Sequence, residues 1–478
     1  MATLTLNKLQ EMTRSGAAAR CRVTLQPAGG EGTKVFPPTY AGAVYATEKR
    51  RLPGHADPVD CVLLDSVQSQ ANRMEEALQN AIDNGRFKQA GVTLPVVEVD
   101  FTSFFAGPDK DPRLQLLEPV GKVTSLQAPH RIVDAILRDS LVEEEVEEKG
   151  EKKKVFRPFR ARKEKDESRL GRRLRRVSAQ NATALFELCP TALLLGMWDS
   201  TGPKGGLGTK FERAMVSEVV GINVQPGVKT SSRIDPLGIR RDAGPLYRRA
   251  DGGYTTDPSQ AIDEIKEGRP TGRKVLFKPN NKGADILHSP NDASFPDQGR
   301  PSEANHGNVP PGIDYRKDQN RLILDDKGRP IPVGGFTITS AEQTVVLSFP
   351  ALRRLRFPID GNPGPRIDDA ARTVLAALAF CAAALGTEAG LDLRSRCLLW
   401  STAPLSWELL GKPGVKDEGI TVEADEAIQL LKASLDAAKS FGLPWREEPL
   451  RLVPSQELVA LVVKSQQLAQ TQGGEGGD

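Results

Sequence analysis

Read for apolar and polar positions, the chain predicts strands and helices in an irregular order. Arg20 to Leu25, in ARCRVTLQPAGG, alternates polar with apolar residues and stops at glycines, which predicts a first strand. From about Pro58 to Asn84 the period lengthens: Val67, Ala71, Met74, Leu78 and Ile82 form one apolar stripe, which predicts a helix with a buried side. At about 100° per residue, Ser66, Ser69, Gln70 and Arg73 share a flank away from that stripe. PVVEVDF (Pro95 to Phe101) and GKVTSL (Gly121 to Leu126) predict strands, and APHRIVDAILRDS predicts a helix entered through Pro129. NATALFELCPTALLLGMW reads as a short helix and a strand, followed by a glycine-rich loop and another strand at Ala214 to Val224.

Later, GGFTITSAEQTVVLSFPALRRLRFP predicts a strand and then a helix, and Ala370 to Leu385 a strongly apolar helix. LRSRCLLW is a strand candidate, and Ala424 to Phe441 and Ser455 to Gln470 are amphipathic helices. Strands and helices mix without a βαβ repeat, so the expected fold class is α+β. Arg240 to Asp325 has few consecutive apolar residues among Gly, Pro, Asn and Asp, and reads as an insertion. The expected divisions are 1–140, a charged insertion at 141–176, 177–239 with the glycine loop, a polar insertion at 240–330, 331–400, and a helical extension and tail at 401–478.

Composition narrows the class. The 478 residues are 38% hydrophobic and 27% charged, as in a soluble globular protein. The apolar run Val374 to Leu385 falls short of the roughly 20 residues a bilayer span needs, and MATLTLNKLQEMTRSG lacks the pattern of a secretory signal. No membrane partner is expected, and the cytoplasm is the expected location. The five cysteines are scattered without CxxC spacing, which predicts reduced core thiols, and the four histidines show no metal-binding spacing. Neither a metal nor a cofactor is expected. A net charge of +3 hides a local contrast: ten Lys or Arg against three acidic residues from Arg157 to Arg176, directly after the acidic run Glu143 to Glu148. Such a block can neutralise phosphates, which makes nucleic acid a candidate partner.

Three groups of residues carry candidate chemistry. WDSTGPKGGLGTK places Gly202, Gly205, Gly206 and Gly208 among Lys204, Thr209 and Lys210. A Walker loop requires GxxxxGK followed by Ser or Thr; here lysine and hydroxyl are swapped and the spacing fails, which argues against an ATPase. The loop either brings backbone N–H groups and two lysines to a phosphodiester or forms a tight hairpin. LDSVQSQANRMEEAL offers short donors that can line a sugar-phosphate chain, or a capped helix start with a solvated face. Arg131, Arg233, Arg353, Arg354 and Arg356 are further phosphate candidates, each also readable as a structural arginine. His130 lacks a partner constellation for general-base work, and Asp65, Asp199 and Asp235 lack the spacing of a metal or hydrolytic pair.

Taken in order, KVFPPTYAG, LDSVQSQANRMEEAL, LQAPHRIVDAILRDS, NATALFELCPTALLLGMWDSTGPKGGLGTKFERAMVSEVVG, SRIDPLGI, GGFTITSAEQTVVLSFPALRRLRFP and LRSRCLL resemble one family. It is the backbone RAMP subunit of type I-G (formerly I-U) CRISPR surveillance complexes, a Cas-seven-type protein. The resemblance runs from the first strand to about Leu399, leaving out the charged insertion, the Arg240 to Lys282 segment and the C-terminal helices. It implies a modified RNA-recognition-motif, ferredoxin-like palm with a thumb and other insertions. It also implies copies stacked head to tail along a guide RNA, which stays open to pair with target DNA alongside other complex subunits. Catalysis is not implied. A guide-processing endoribonuclease of the same superfamily and a protein-only scaffold are the alternatives. The resemblance makes Ser66, Gln68, Ser69 and Arg73 on the polar helix the first expected RNA contacts, and Gln70, Arg131, Lys204, Lys210, Arg233, Arg353 and Arg354 are expected from their own chemistry.

Overall fold

A computed structural model describes residues 2–105, 111–148, 151–200, 209–240, 242–278, 284–292, 296, 298–318, 321–325, 327–415 and 419–471. The chain divides into two compact units, one of Met1–Val224 with Thr337–Thr471 and one containing Gln225–Phe336. In chain order the first unit contributes α1 (Leu6–Ser15), β1 (Ala18–Pro27), β2 (Thr47–Arg50), β3 (Val59–Asp65), α2 (Val67–Asp83), β4 (Val97–Asp100), β5 (Lys122–Thr124), β6 (Ser140–Glu148) and β7 (Glu151–Pro158). It continues with α3 (Arg169–Arg175), β8 (Met197–Trp198), β9 (Lys210–Phe211), β10 (Met215–Ile222), β11 (Ser340–Ser348) and α4 (Pro365–Glu388). Last come β12 (Leu398–Ser401), β13 (Ser406–Leu410), α5 (Ala424–Lys439), β14 (Leu450–Pro454) and α6 (Gln456–Thr471).

The mixture is α+β, as the sequence predicts. The larger sheet runs Ala2–Thr3, Ile420–Thr421, β13, β1, β11, β10, β3, β2, and its centre is antiparallel. β11 alternates buried with half-buried residues along its length, so Ala341, Gln343, Val345 and Leu347 share the covered face. α2 packs on β10, and α4 packs against α1, α2 and α5. From Ala371 to Leu385, α4 is buried throughout, and its many alanines let those neighbours approach closely. It is longer than the run read from sequence. Among the described residues it alone is long and apolar enough to cross a bilayer, and 83% of its most apolar window is buried in the protein. All five cysteines are buried and free, and burial pushes the Cys21 and Cys397 thiols up to about 12.

Two helices differ from expectation. The helix expected from Pro58 starts at Val67, because the short apolar run VDCVLLD fits a strand as well as a helix and pairs as β3 between β10 and β2. Ser66 marks the change: its backbone is extended and its hydroxyl accepts from Ser69 N at 3.2 Å. APHRIVDAILRDS forms a 3₁₀ turn at Arg131–Val133 and a single helical turn at Ala135–Arg138, because Arg131 takes φ +54° and Asp134 an extended ψ.

The smaller sheet of this unit runs β5, β4, β14, β6, β7. The acidic run and the lysines after it form the β6–β7 hairpin, with Lys154 Nζ 2.7 Å from Glu143. Half of the ten basic side chains of the block beyond, from Arg157 to Arg176, are engaged internally: those of Arg160, Arg169, Arg173, Arg175 and Arg176. Glu167, fully buried, accepts from Arg160 at 3.1 Å and Arg175 at 2.7 Å, while Arg173 pairs with Glu187 and Arg176 with Glu164.

The second unit is built of short strands. Its three-stranded sheet runs Asp263–Lys266, Arg269–Val275, Leu287–His288, over a small cluster of Tyr247, Ala261 and Leu276. An antiparallel pair of Thr230–Arg233 with Val309–Ile313 adjoins a loop organised by Asp235, whose carboxylate accepts from the backbone N–H groups of Leu237 and Gly307.

Candidate nucleic-acid interface

An open cleft of about 850 Å³ is lined by the start of α2, the segment from Pro129 to Arg138, and the β8–β9 ribbon with the residues after it. α2 brings Gln68 and Asn72, one turn apart on the same side of the helix. β8 and β9 pair Trp198 with Lys210 and Met197 with Phe211, so the ribbon buries Met197 and Phe211 and turns Trp198 and Lys210 outward. Trp198 is 57% exposed.

Gly196 permits the approach of the next element. Its φ is +86°, and a Cβ there would lie 2.9 Å from Arg213 Cγ and 3.2 Å from Phe211 O. Arg213 thereby lines the cleft beside Arg131, and burial, then the like charge of Arg131, hold its guanidinium below the ordinary value. Gln68, Asn72, Trp198, Lys210 and Arg213 make no side-chain hydrogen bond or ion pair among the described residues. By contrast, the acidic groups of the lining are occupied: Asp199 by Arg160 at 3.0 Å and Glu212 by Arg354 at 2.7 Å. Spare cations, spare amides and an exposed indole suit a polyanion with stackable rings.

The sequence-predicted residues fall into two groups. Gln68 and Lys210 stand in the cleft, Arg131 lines its buried wall, Ser69 lies half-buried on the next ridge of α2, and Arg354 reaches its edge through Glu212. Arg131 and the others are engaged in the fold. Ser66 caps α2. Gln70, 2% exposed, donates to Asp65 at 2.7 Å and accepts from Ser217 at 2.7 Å and Gln343 at 2.9 Å. Arg73 donates to Asp65 at 2.9 Å and to the carbonyls of Asp392 and Leu393 at 2.8 and 2.9 Å. Arg131 is buried against Glu75 at 2.8 Å and Gly196 O at 3.0 Å, and burial raises the Glu75 carboxyl while the Arg131 charge pulls it back. Arg353 staples the end of α1 through Thr13 O and Gly16 O, and Arg356 bonds backbone carbonyls. Arg233, in the second unit, donates twice to Gly307 O. Lys204 lies outside the described residues.

Asn72, Arg138, Trp198 and Arg213 are lining residues that sequence reasoning did not single out. Trp198 was legible in principle, as an aromatic residue set directly before a polar, glycine-rich stretch. Arg160 is a supporting residue: it ties buried Glu167 to Asp199 and so fixes the chain beside Trp198.

Residues 19–226 match the model of a family described as CRISPR-associated protein GSU0053. The match supports a CRISPR-associated protein, and the whole lining of the cleft, from Val67 to Val216, lies inside the matched span. No curated protein matches the chain.

Proposed function

We propose that this chain is a non-catalytic backbone subunit of a type I CRISPR surveillance complex, of the type I-G kind. In this reading it holds guide RNA by its sugar-phosphate chain and lines up with copies of itself in the cytoplasm. The guide's bases are left to pair with target DNA, and other CRISPR components complete the complex. The larger antiparallel sheet with α2 and α4 on its covered face serves as an RNA-recognition-motif-like palm.

The observation that carries the reading is the cleft, where Lys210, Arg213, Gln68 and Asn72 lack internal partners among the described residues, beside exposed Trp198. Such donors grip phosphate and sugar without reading sequence, as a protein that carries guides of differing sequence requires.

The test is purification from cells expressing a CRISPR array, with sizing before and after ribonuclease. Large particles holding RNA fragments of constant repeat, which collapse on digestion and are lost in Lys210→Ala/Arg213→Ala, are expected. An RNA-free monomer, even on co-expression with the other subunits, would sink the reading. Since His130 also lines the cleft, precursor RNA is incubated in parallel. Intact RNA is expected, and cleavage abolished by His130→Ala would make the chain a processing enzyme instead.

A further inference from the structure

The segment after α4 presents an arrangement that the cleft does not use. Leu391–Asp392 pairs with β12, and between them the chain turns tightly, with Cys397 N donating to Arg394 O at 2.7 Å and Leu393 N to Cys397 O at 3.0 Å. In this turn Arg396 adopts φ +63°, a left-handed conformation that glycine takes freely and side chains with a Cβ rarely do. Its carbonyl accepts from Phe36 N at 3.0 Å, and its guanidinium carbon sits 4.2 Å from the centroid of the Phe36 ring. Arg396 is exposed, and its guanidinium N–H groups make no hydrogen bond or ion pair among the described residues.

A guanidinium held over a ring by cation–π attraction keeps its N–H donors available for a phosphate. A backbone held in an unfavourable region around such a side chain points to a role for that side chain. Arg394, also exposed, reaches among the described residues only Pro37 O at 3.4 Å and Thr39 Oγ1 at 3.3 Å, both with one nitrogen, so it too keeps donors to spare. Exposed rings stand on the same two segments: Tyr40 directly after Thr39 is 48% exposed, and Trp400 on β12 is 52% exposed.

The same helix borders both places. Gln68 and Asn72 of α2 face the cleft, Arg73 fastens α2 to the carbonyls of Asp392 and Leu393, and Ser69 lies between them around the helix. We propose that Arg394 and Arg396 form a second phosphate clamp for single-stranded RNA that leaves the cleft across the first turns of α2. Trp400 and Tyr40 offer faces on which its bases can stack. The proposal rests on the RNA-binding reading above.

The test is a titration of the full chain with labelled, mixed-sequence single-stranded RNA at several salt concentrations. Arg394→Ala/Arg396→Gly is compared with Lys210→Ala/Arg213→Ala. Glycine at 396 accepts φ +63°, so this variant should melt at or above the wild-type temperature. Its RNA affinity should fall roughly tenfold or more. The slope of log affinity against log salt should flatten by about 0.7 for each phosphate that the variant no longer neutralises. Wild-type affinity and slope in this variant, while the cleft variant binds weakly, would overturn the second clamp and leave the RNA-binding reading standing. A wild-type chain that binds no RNA would overturn both. A loss of affinity that tracks a fall in melting temperature would return both arginines to a structural role, and an effect confined to single-stranded DNA would overturn the assignment to RNA.

Discussion

Gln70 and Arg73 occupy the same two turns of α2 as Gln68 and Asn72, yet they do opposite work. Gln70 closes a buried chain of Asp65, Ser217 and Gln343, and Arg73 ties Asp65 to two backbone carbonyls. Removing either side chain leaves buried polar groups unpaired, so Gln70→Ala and Arg73→Ala should each cost about 1–3 kcal/mol of stability. Lys210→Ala and Arg213→Ala remove no internal bond to the described residues; they should leave thermal melting unchanged and weaken RNA binding. Thermal denaturation beside an RNA titration separates the two pairs, and a stable Arg73→Ala with weakened RNA binding would refute the division. A helical period shows which residues leave the apolar stripe, but not which of them a neighbouring strand will claim. Beyond Asp65, the partners of Gln70 lie 147 and 273 positions along the chain, where no local pattern reaches.

At the scale of elements, a strong local period is sufficient where the surroundings agree with it. The 3.6-residue stripe of α2 and the two-residue alternation of β11 both survive in the fold. Val59–Asp65 departs from the expected helix because a short apolar run fits either period, and only pairing with β10 and β2 decides it. β14 sits in a stretch that reads as helical extension, since its pairing is with β4 near the other end of the chain. The loop after Thr230–Arg233 shows how one carboxylate can organise an element without any period. Asp235 accepts from Gly307 N, then Leu237 N, and these bonds hold its carboxyl below the usual range. Bonds that favour the ionised form are complete above the ordinary aspartate value of about 3.9 and are lost as pH falls through the lower folded value. The amide resonances of Leu237 and Gly307 should therefore move together in acid, with a shared midpoint below that value, and should not titrate in Asp235→Asn. A midpoint at or above the ordinary value would show that the carboxylate does not hold the loop.

For the whole molecule, the decisive feature is where the second unit enters the first. β10 and β11 are antiparallel neighbours at the centre of the larger sheet, and their register places Ile222 opposite Ser340. Thr339 N donates to Ile222 O at 3.1 Å, and Asn223 Nδ2 to Thr339 Oγ1 at 2.9 Å. The ends of the first unit therefore already meet as a hairpin whose turn has been replaced by Gln225–Phe336. Pairing β10 with β11 closes the loop that contains the second unit, at an entropic cost that grows only logarithmically with loop length and that a short turn would reduce. Ile222 opposite Ser340 puts Val224 opposite Ile338, so replacing Gln225–Thr337 with a two-residue Asn-Gly turn should give a first unit that folds, since that turn matches the twist of paired strands. The cleft residues all precede the splice, so the shortened chain should melt cooperatively and keep the RNA binding that Lys210→Ala/Arg213→Ala weakens. If it folds but has lost that binding, RNA contact depends on the second unit, and the cleft is only part of the interface. If it aggregates, with strands unable to pair across the new turn, the second unit is needed to build the sheet and is no insertion in the physical sense.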